Sequence, residues 1–242
     1  MSTQKQKTYF TTEELETIDD ERLQDLFNSI SEKISDTEYP CVGAKAALNS
    51  KQIRIGVYKG MATDETTSKL GYDLKQYIAE TLAADSEYMT MVACFTEEAP
   101  TSEDDFEKKL WAQLQRLHDS DSSANPWDPE VSSNPEDTNF SFSYNGTAFF
   151  VVGLHPNASR KARQTGYTAM AFNLHRQFEQ LREKGVYENM KKVIRERDEA
   201  YDGSINPMLQ DFDEGLEAPQ YSGRKVDESW KCPFLAGNLK SH

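Results

Sequence analysis

Three cysteines and four histidines give this 242-residue chain its few side chains suited to bind or transform a ligand. Cys41 comes first, directly behind Pro40 in Tyr39-Pro40-Cys41-Val42-Gly43-Ala44-Lys45-Ala46-Ala47-Leu48-Asn49. Proline is favoured at the first position of a helix. The run therefore predicts a short helix from Cys41 to Leu48, with Asn49 as a left-handed stop. Unpaired amides and the positive end of the dipole favour an anion at a helix start. A thiolate there is stabilised and its pKa lowered, which makes Cys41 a candidate metal ligand. The following amides would tune the sulfur. A buried, inert thiol at a helix–sheet seam is the alternative.

Cys232 lies in Trp230-Lys231-Cys232-Pro233-Phe234. Its aromatic neighbours could flank a flat ligand, or pin the tail to the core. Cys94 sits in an apolar strand pattern and reads as core. His155 stands where a strand ends at Pro156, and His175 where a strand gives way to a helix. An imidazole in either place can bind iron, serve as acid or base, or simply hold a structural hydrogen bond. His118 and His242 carry no role. Ser159-Arg160-Lys161-Ala162-Arg163 is a basic cluster in a chain of net charge -14. Arginine forks match carboxylates, so Arg160 and Arg163 could grip a dicarboxylate ligand or offset nearby acids. Lys191-Lys192 and Arg195-Glu196-Arg197-Asp198 read as a solvated helix face. There is no glycine-rich phosphate loop, no nucleophile elbow, and no zinc spacing.

The elements that must position these residues are legible in the apolar spacing. Residues 1–10 read as a flexible N-terminal arm and 11–242 as a single catalytic α+β domain. Helical spacing runs over 23–34, 68–83, 106–117, 175–183 and 187–200. Strands are predicted over 52–58, 88–95 and 168–174. The clearest signal is residues 140–154, where Asn145-Gly146 is the favoured type I′ hairpin turn. Ser102 with Asp105 resembles a capping box. The turn-rich stretch 120–139 could be a lid, a wall of a site, or irregular packing. Together these give a single α+β domain with a mainly antiparallel sheet of about five strands against helices and a long irregular C-terminal segment. The acidic balance argues against nucleic acid or an anionic membrane and is compatible with a cationic small substrate. No stretch is long and apolar enough to span a bilayer and no signal core opens the chain, so a cytoplasmic, reduced protein is expected.

The order of these pieces resembles the YqcI/YcgG family. The matching stretches are YPCVGAKAALN, SFSYNGTAFFVVGLHPNASRKAR, FNLHRQFEQLR, YENMKKVIRERDEAYDGSINPML and WKCPF, spread from about residue 39 to 234. LHPNASRKAR, FNLHRQFE and GSINPMLQDF are most similar to its haem-dependent N-hydroxylase branch. The resemblance implies haem b, dioxygen with an electron-donor protein or peroxide, and a cationic guanidino substrate, arginine or an arginine-derived compound. Under it Cys41 is the favoured iron ligand and Cys232 its rival. Arg160 and Arg163 would meet the propionates, and His155 and His175 would act as distal proton donors or replace the thiolate. A haem-binding or sensing protein without turnover, or a cofactor-free binding domain, are the other readings.

Overall fold

In a computed structural model, residues 7–208 and 215–236 are described. Their elements run β1 (Tyr9–Thr11), α1 (Thr12–Thr17), α2 (Glu21–Ser35), α3 (Val42–Asn49), β2 (Ile53–Tyr58), α4 (Asp64–Ala84) and β3 (Thr90–Phe95). Then come α5 (Glu103–Asp121), β4 (Phe142–Tyr144), β5 (Thr147–Leu154), β6 (Thr168–Leu174), α6 (His175–Glu183), α7 (Tyr187–Asp202) and α8 (Ala218–Ser222). A single 3₁₀ turn, Lys161–Arg163, separates β5 from β6.

The strands form one six-stranded sheet in the order β1-β2-β3-β6-β5-β4. This corrects the expected five-stranded, mainly antiparallel sheet: the sheet is mixed. β2 and β3 pair in parallel, with Ile55 opposite Val92. Parallel neighbours need a long crossover, and the 21-residue α4 supplies it. The sixth strand is β1. Tyr9 and Phe10, read as part of a loose arm, are buried and pair antiparallel with Gly56 and Ile55. Thr8 Oγ1 donates to Asp73 Oδ2 on α4 at 2.7 Å and fastens this edge.

Local rules explain the boundaries. At the hairpin, Asn145 and Gly146 take φ of 51° and 68°, as a type I′ turn requires. Ser102 Oγ accepts the Asp105 N–H at 3.1 Å, but the Asp105 carboxylate bonds the Thr101 N–H rather than that of Ser102. In α3 the capping residue is Cys41 itself. Its C-terminal stop is Ser50, and the left-handed residue is Lys51, φ 57°, rather than Asn49. Among the described residues no helix is long and apolar enough to cross a membrane.

The sheet separates two apolar clusters. One joins α4, α5 and α8 to Met91, Phe95, Phe149, Met170 and Phe172. The other joins α1, α2 and α3 to Ile53, Ile55, Val92, Cys94 and Ala169. The stretch 120–139 lies over the first cluster, where the Trp127 ring is 6.0 Å from Phe234 and 6.2 Å from Phe142.

Candidate functional site

The second face carries a cavity of about 360 Å³. Its floor is a strip of small and medium side chains: Val92 and Cys94 on β3, Ala169 and Ala171 on β6, Val152 and Leu154 on β5. Strand alternation puts these on one side and their large neighbours on the other. The walls come from α2 (Ile30, Lys33, Ile34), the head of α3 (Pro40, Cys41), α6 (His175, Phe178, Leu181, Arg182) and α7 (Tyr187, Lys191, Ile194, Arg195).

Four of the six sequence-predicted residues meet here: Cys41, Arg160, Arg163 and His175. The Ala44 N–H donates to Cys41 Sγ at 3.4 Å, so the helix-start geometry is present. Its expected consequence is reversed: burial pushes the thiol above its ordinary value, more strongly than the Ala44 and Gly43 amides and the Arg163 charge pull it down. The loss of hydration at this seam outweighs the helix end. His175 opens α6. Gln177 sets that start by accepting the Leu174 N–H at 2.9 Å and donating to Ser86 O and Met89 O. His175 Nε2 lies 3.4 Å from Glu179 Oε1, and burial holds the ring below the usual histidine range, hence neutral near neutral pH.

The two arginines are already engaged. Arg160 pairs with Asp198 at 2.7 Å and donates to Ser204 O. Arg163, 8% exposed, donates Nη1 to Gly153 O and Tyr221 O and Nη2 to Gln220 O. Burial brings it down to about 10. It ties the 3₁₀ turn to α8 while keeping a positive charge near Cys41. The basic residues that sequence reading left on a solvated face, Lys191 and Arg195, line the cavity with Arg182. The available signal was the mixed face: Tyr187 and Ile194 fall beside Lys191, Arg195 and Asp198 at helical spacing, which a wholly solvated face would not need. Lys33 was missed as well. Its Nζ donates to Lys161 O at 2.8 Å and to Tyr201 Oη at 3.0 Å.

His155 and Cys232 lie elsewhere. His155 follows Leu154 on β5, so alternation turns it to the other face. It is 0% exposed and stacks on Phe106 at 4.4 Å. Neither ring nitrogen has a hydrogen-bond partner among the described residues. Gly153 permits this packing, since a Cβ there would stand 2.5 Å from the Phe106 ring. Cys232 packs against the aromatic cluster with Trp230, and burial pushes its thiol up to about 12. The tail there is clamped by Glu107, which takes Trp230 Nε1–H at 3.3 Å and Arg224 Nε–H at 3.1 Å. Cys94 is core, as read, and also floors the cavity, its thiol likewise pushed up to about 12. Among the described residues no group of three or more His, Cys, Asp and Glu is arranged to hold a bare metal ion.

The site is thus an apolar cavity on one sheet face, with one capped thiol, one neutral imidazole and a cationic rim. The family model for the YqcI/YcgG family matches residues 30–235, and the chain belongs to that family. It is 32% identical over 224 residues to YqcI, an uncharacterised protein of Bacillus subtilis (strain 168), covering 87% of each chain. It is 27% identical over 228 residues to a Streptomyces lavendulae protein, DcsA, named as a candidate N(omega)-hydroxy-L-arginine synthase. That match covers 87% of this chain and 83% of the relative. No solved structure matches the chain.

Proposed function

We propose that the protein is a haem-dependent N-hydroxylase acting on the guanidino group of arginine or an arginine-derived small molecule. The observation that carries this reading is the gathering of Cys41, His175 and a cationic rim in one apolar cavity. The relationship to a protein named for N-hydroxy-arginine synthesis supports the substrate class. The residues present fit an iron protoporphyrin. Cys41 offers a sulfur at the wall, the floor of Ala169, Ala171 and Val92 offers small apolar side chains to a flat ring, and Arg182, Lys191 and Arg195 suit its two carboxylates.

When bound, haem supplies the oxidising power that attack on a guanidine nitrogen needs, and a thiolate donor favours O–O cleavage. One oxygen atom enters an N–H bond and the other leaves as water. Dioxygen then requires two electrons from a donor protein and two protons from solvent, whereas hydrogen peroxide brings the oxygen, electrons and protons together. Cys41 presents its sulfur with the Ala44 amide aimed at it and the Arg163 charge nearby, both of which favour the thiolate. Neutral His175, steadied by Glu179, can give or take a proton at the wall. Ile30, Ile34, Leu181 and Ile194 give the walls an apolar lining, which disfavours water there. Haem-loaded protein incubated with L-arginine and peroxide should yield a product heavier by one oxygen on a guanidine nitrogen. Haem uptake without product would point instead to a binding or sensing protein, and no uptake would overturn the proposal.

A further inference from the structure

Among the described residues three carboxylates line the cavity: Glu87, Asp198 and Glu217. Asp198 is matched by Arg160 at 2.7 Å and accepts the Asn206 N–H at 2.8 Å. Glu87 is matched by Lys184. Glu217 differs. It is 5% exposed, and among the described residues its partners are hydroxyls and it forms no ion pair. Ser141 Oγ lies 2.8 Å from both of its oxygens, and the Tyr221 hydroxyl meets Oε1. Tyr221 Oη is itself fixed, accepting the Phe142 N–H at 2.9 Å and lying 3.1 Å from Phe149 O.

We propose that Glu217 is the carboxylate that receives the substrate's guanidinium group, with Ser141 and Tyr221 as its positioning residues. The inference rests on the guanidine reading above and assigns the acidic partner that reading requires. A carboxylate has about four acceptor sites; Ser141 Oγ stands level with both oxygens and Tyr221 Oη meets Oε1, which leaves the outer side of Oε2 for an N–H of the guanidinium. The groups facing Glu217 are Tyr221 on its own helix, Ser141 from the approach to β4, and the Arg182 charge from α6. None of them neutralises it in contact. Burial therefore keeps the side chain protonated up to about 8. A carboxyl that is neutral when alone and ionises for an arriving cation spares the empty cavity a bare charge. Guanidinium binding would then expel that proton to solvent.

Calorimetry on the haem-loaded protein tests this with L-arginine and, separately, free guanidinium ion near pH 7. Titration in two buffers of different ionisation heat should show release of about one proton per L-arginine bound. Glu217→Gln should weaken L-arginine binding by about thirtyfold or more and abolish proton release, with the haem spectrum kept and the melting temperature no lower than that of the wild type. The proton count comes from the wild-type protein, so it holds even if the variant folds poorly. Wild-type affinity in Glu217→Gln, or no proton release by the wild type on binding, would overturn the assignment while leaving the guanidine reading standing. Failure of the wild type to bind either probe would overturn both.

Discussion

On β3 and β6 the side chains turned toward α4 and α5 are Met91, Ala93, Phe95, Met170, Phe172 and Leu174. Those turned the other way are Thr90, Val92, Cys94, Ala169, Ala171 and Asn173, and they line the cavity. The same strands thus fill one face and leave room on the other. The filled face holds aromatic rings in contact, with Trp111 and Tyr221 at 5.4 Å and Phe149 and Phe172 at 5.8 Å. The open face trades that packing for space, and the chain's chemistry-bearing cysteine, histidine and basic residues gather there. Both faces carry an apolar cluster, and the cavity lies on only one of them, the face to which the proposed function assigns the ligand.

Two substitutions of opposite sense can break this division. Phe149→Ala on the filled face should cost about 3–5 kcal/mol, seen as a large drop in the urea midpoint. Ala171→Leu on the open face should cost little stability, since it projects into free volume, but should abolish haem uptake by filling the floor. Equal loss of stability in both would erase the distinction between the faces.

A smaller effect sharpens the role of Glu217, which reaches the cavity from a helix anchored in the filled face. An exposed glutamate releases its proton near 4.5, whereas folded Glu217 keeps it up to about 8. Between those values the folded state binds more protons than the unfolded, so stability falls as pH rises from about 4.5 through about 8. Glu217→Gln has no proton to lose and should flatten that slope in urea midpoints measured across the range. An unchanged slope would mean that Glu217 is ionised in the folded chain.

How far the sequence could be read follows the range of the physics involved. The Asn145-Gly146 turn, the strand ending at Leu174 and the helix beginning at His175 rest on neighbours within a few residues, and all were legible. The parallel pairing of β2 with β3 depends on which edge each strand meets after the α4 crossover, and no local pattern reports that. β1 is only three residues long and earns its place by pairing with β2. For the site, a thiol at a helix start was visible, but the direction of its pKa was not, because burial depends on what α2 and α7 cover. Alternation along β5 was enough to separate His155 from Leu154, had the cavity face been known. The Lys191 and Arg195 face was mistaken for solvated surface because charge spacing alone cannot tell a rim from an exterior.

The most direct test of the account is the absorption spectrum of the haem-loaded protein, oxidised and then reduced under carbon monoxide, for wild type, Cys41→Ser and Cys232→Ser. Cys41 lines the open face and Cys232 is packed on the filled one. The wild type and Cys232→Ser should both show the long-wavelength band of a thiolate-ligated carbonyl complex, and Cys41→Ser should lose it. A thiolate band that survives Cys41→Ser, or that vanishes only in Cys232→Ser, would contradict the assignment of ligand binding to the cavity face.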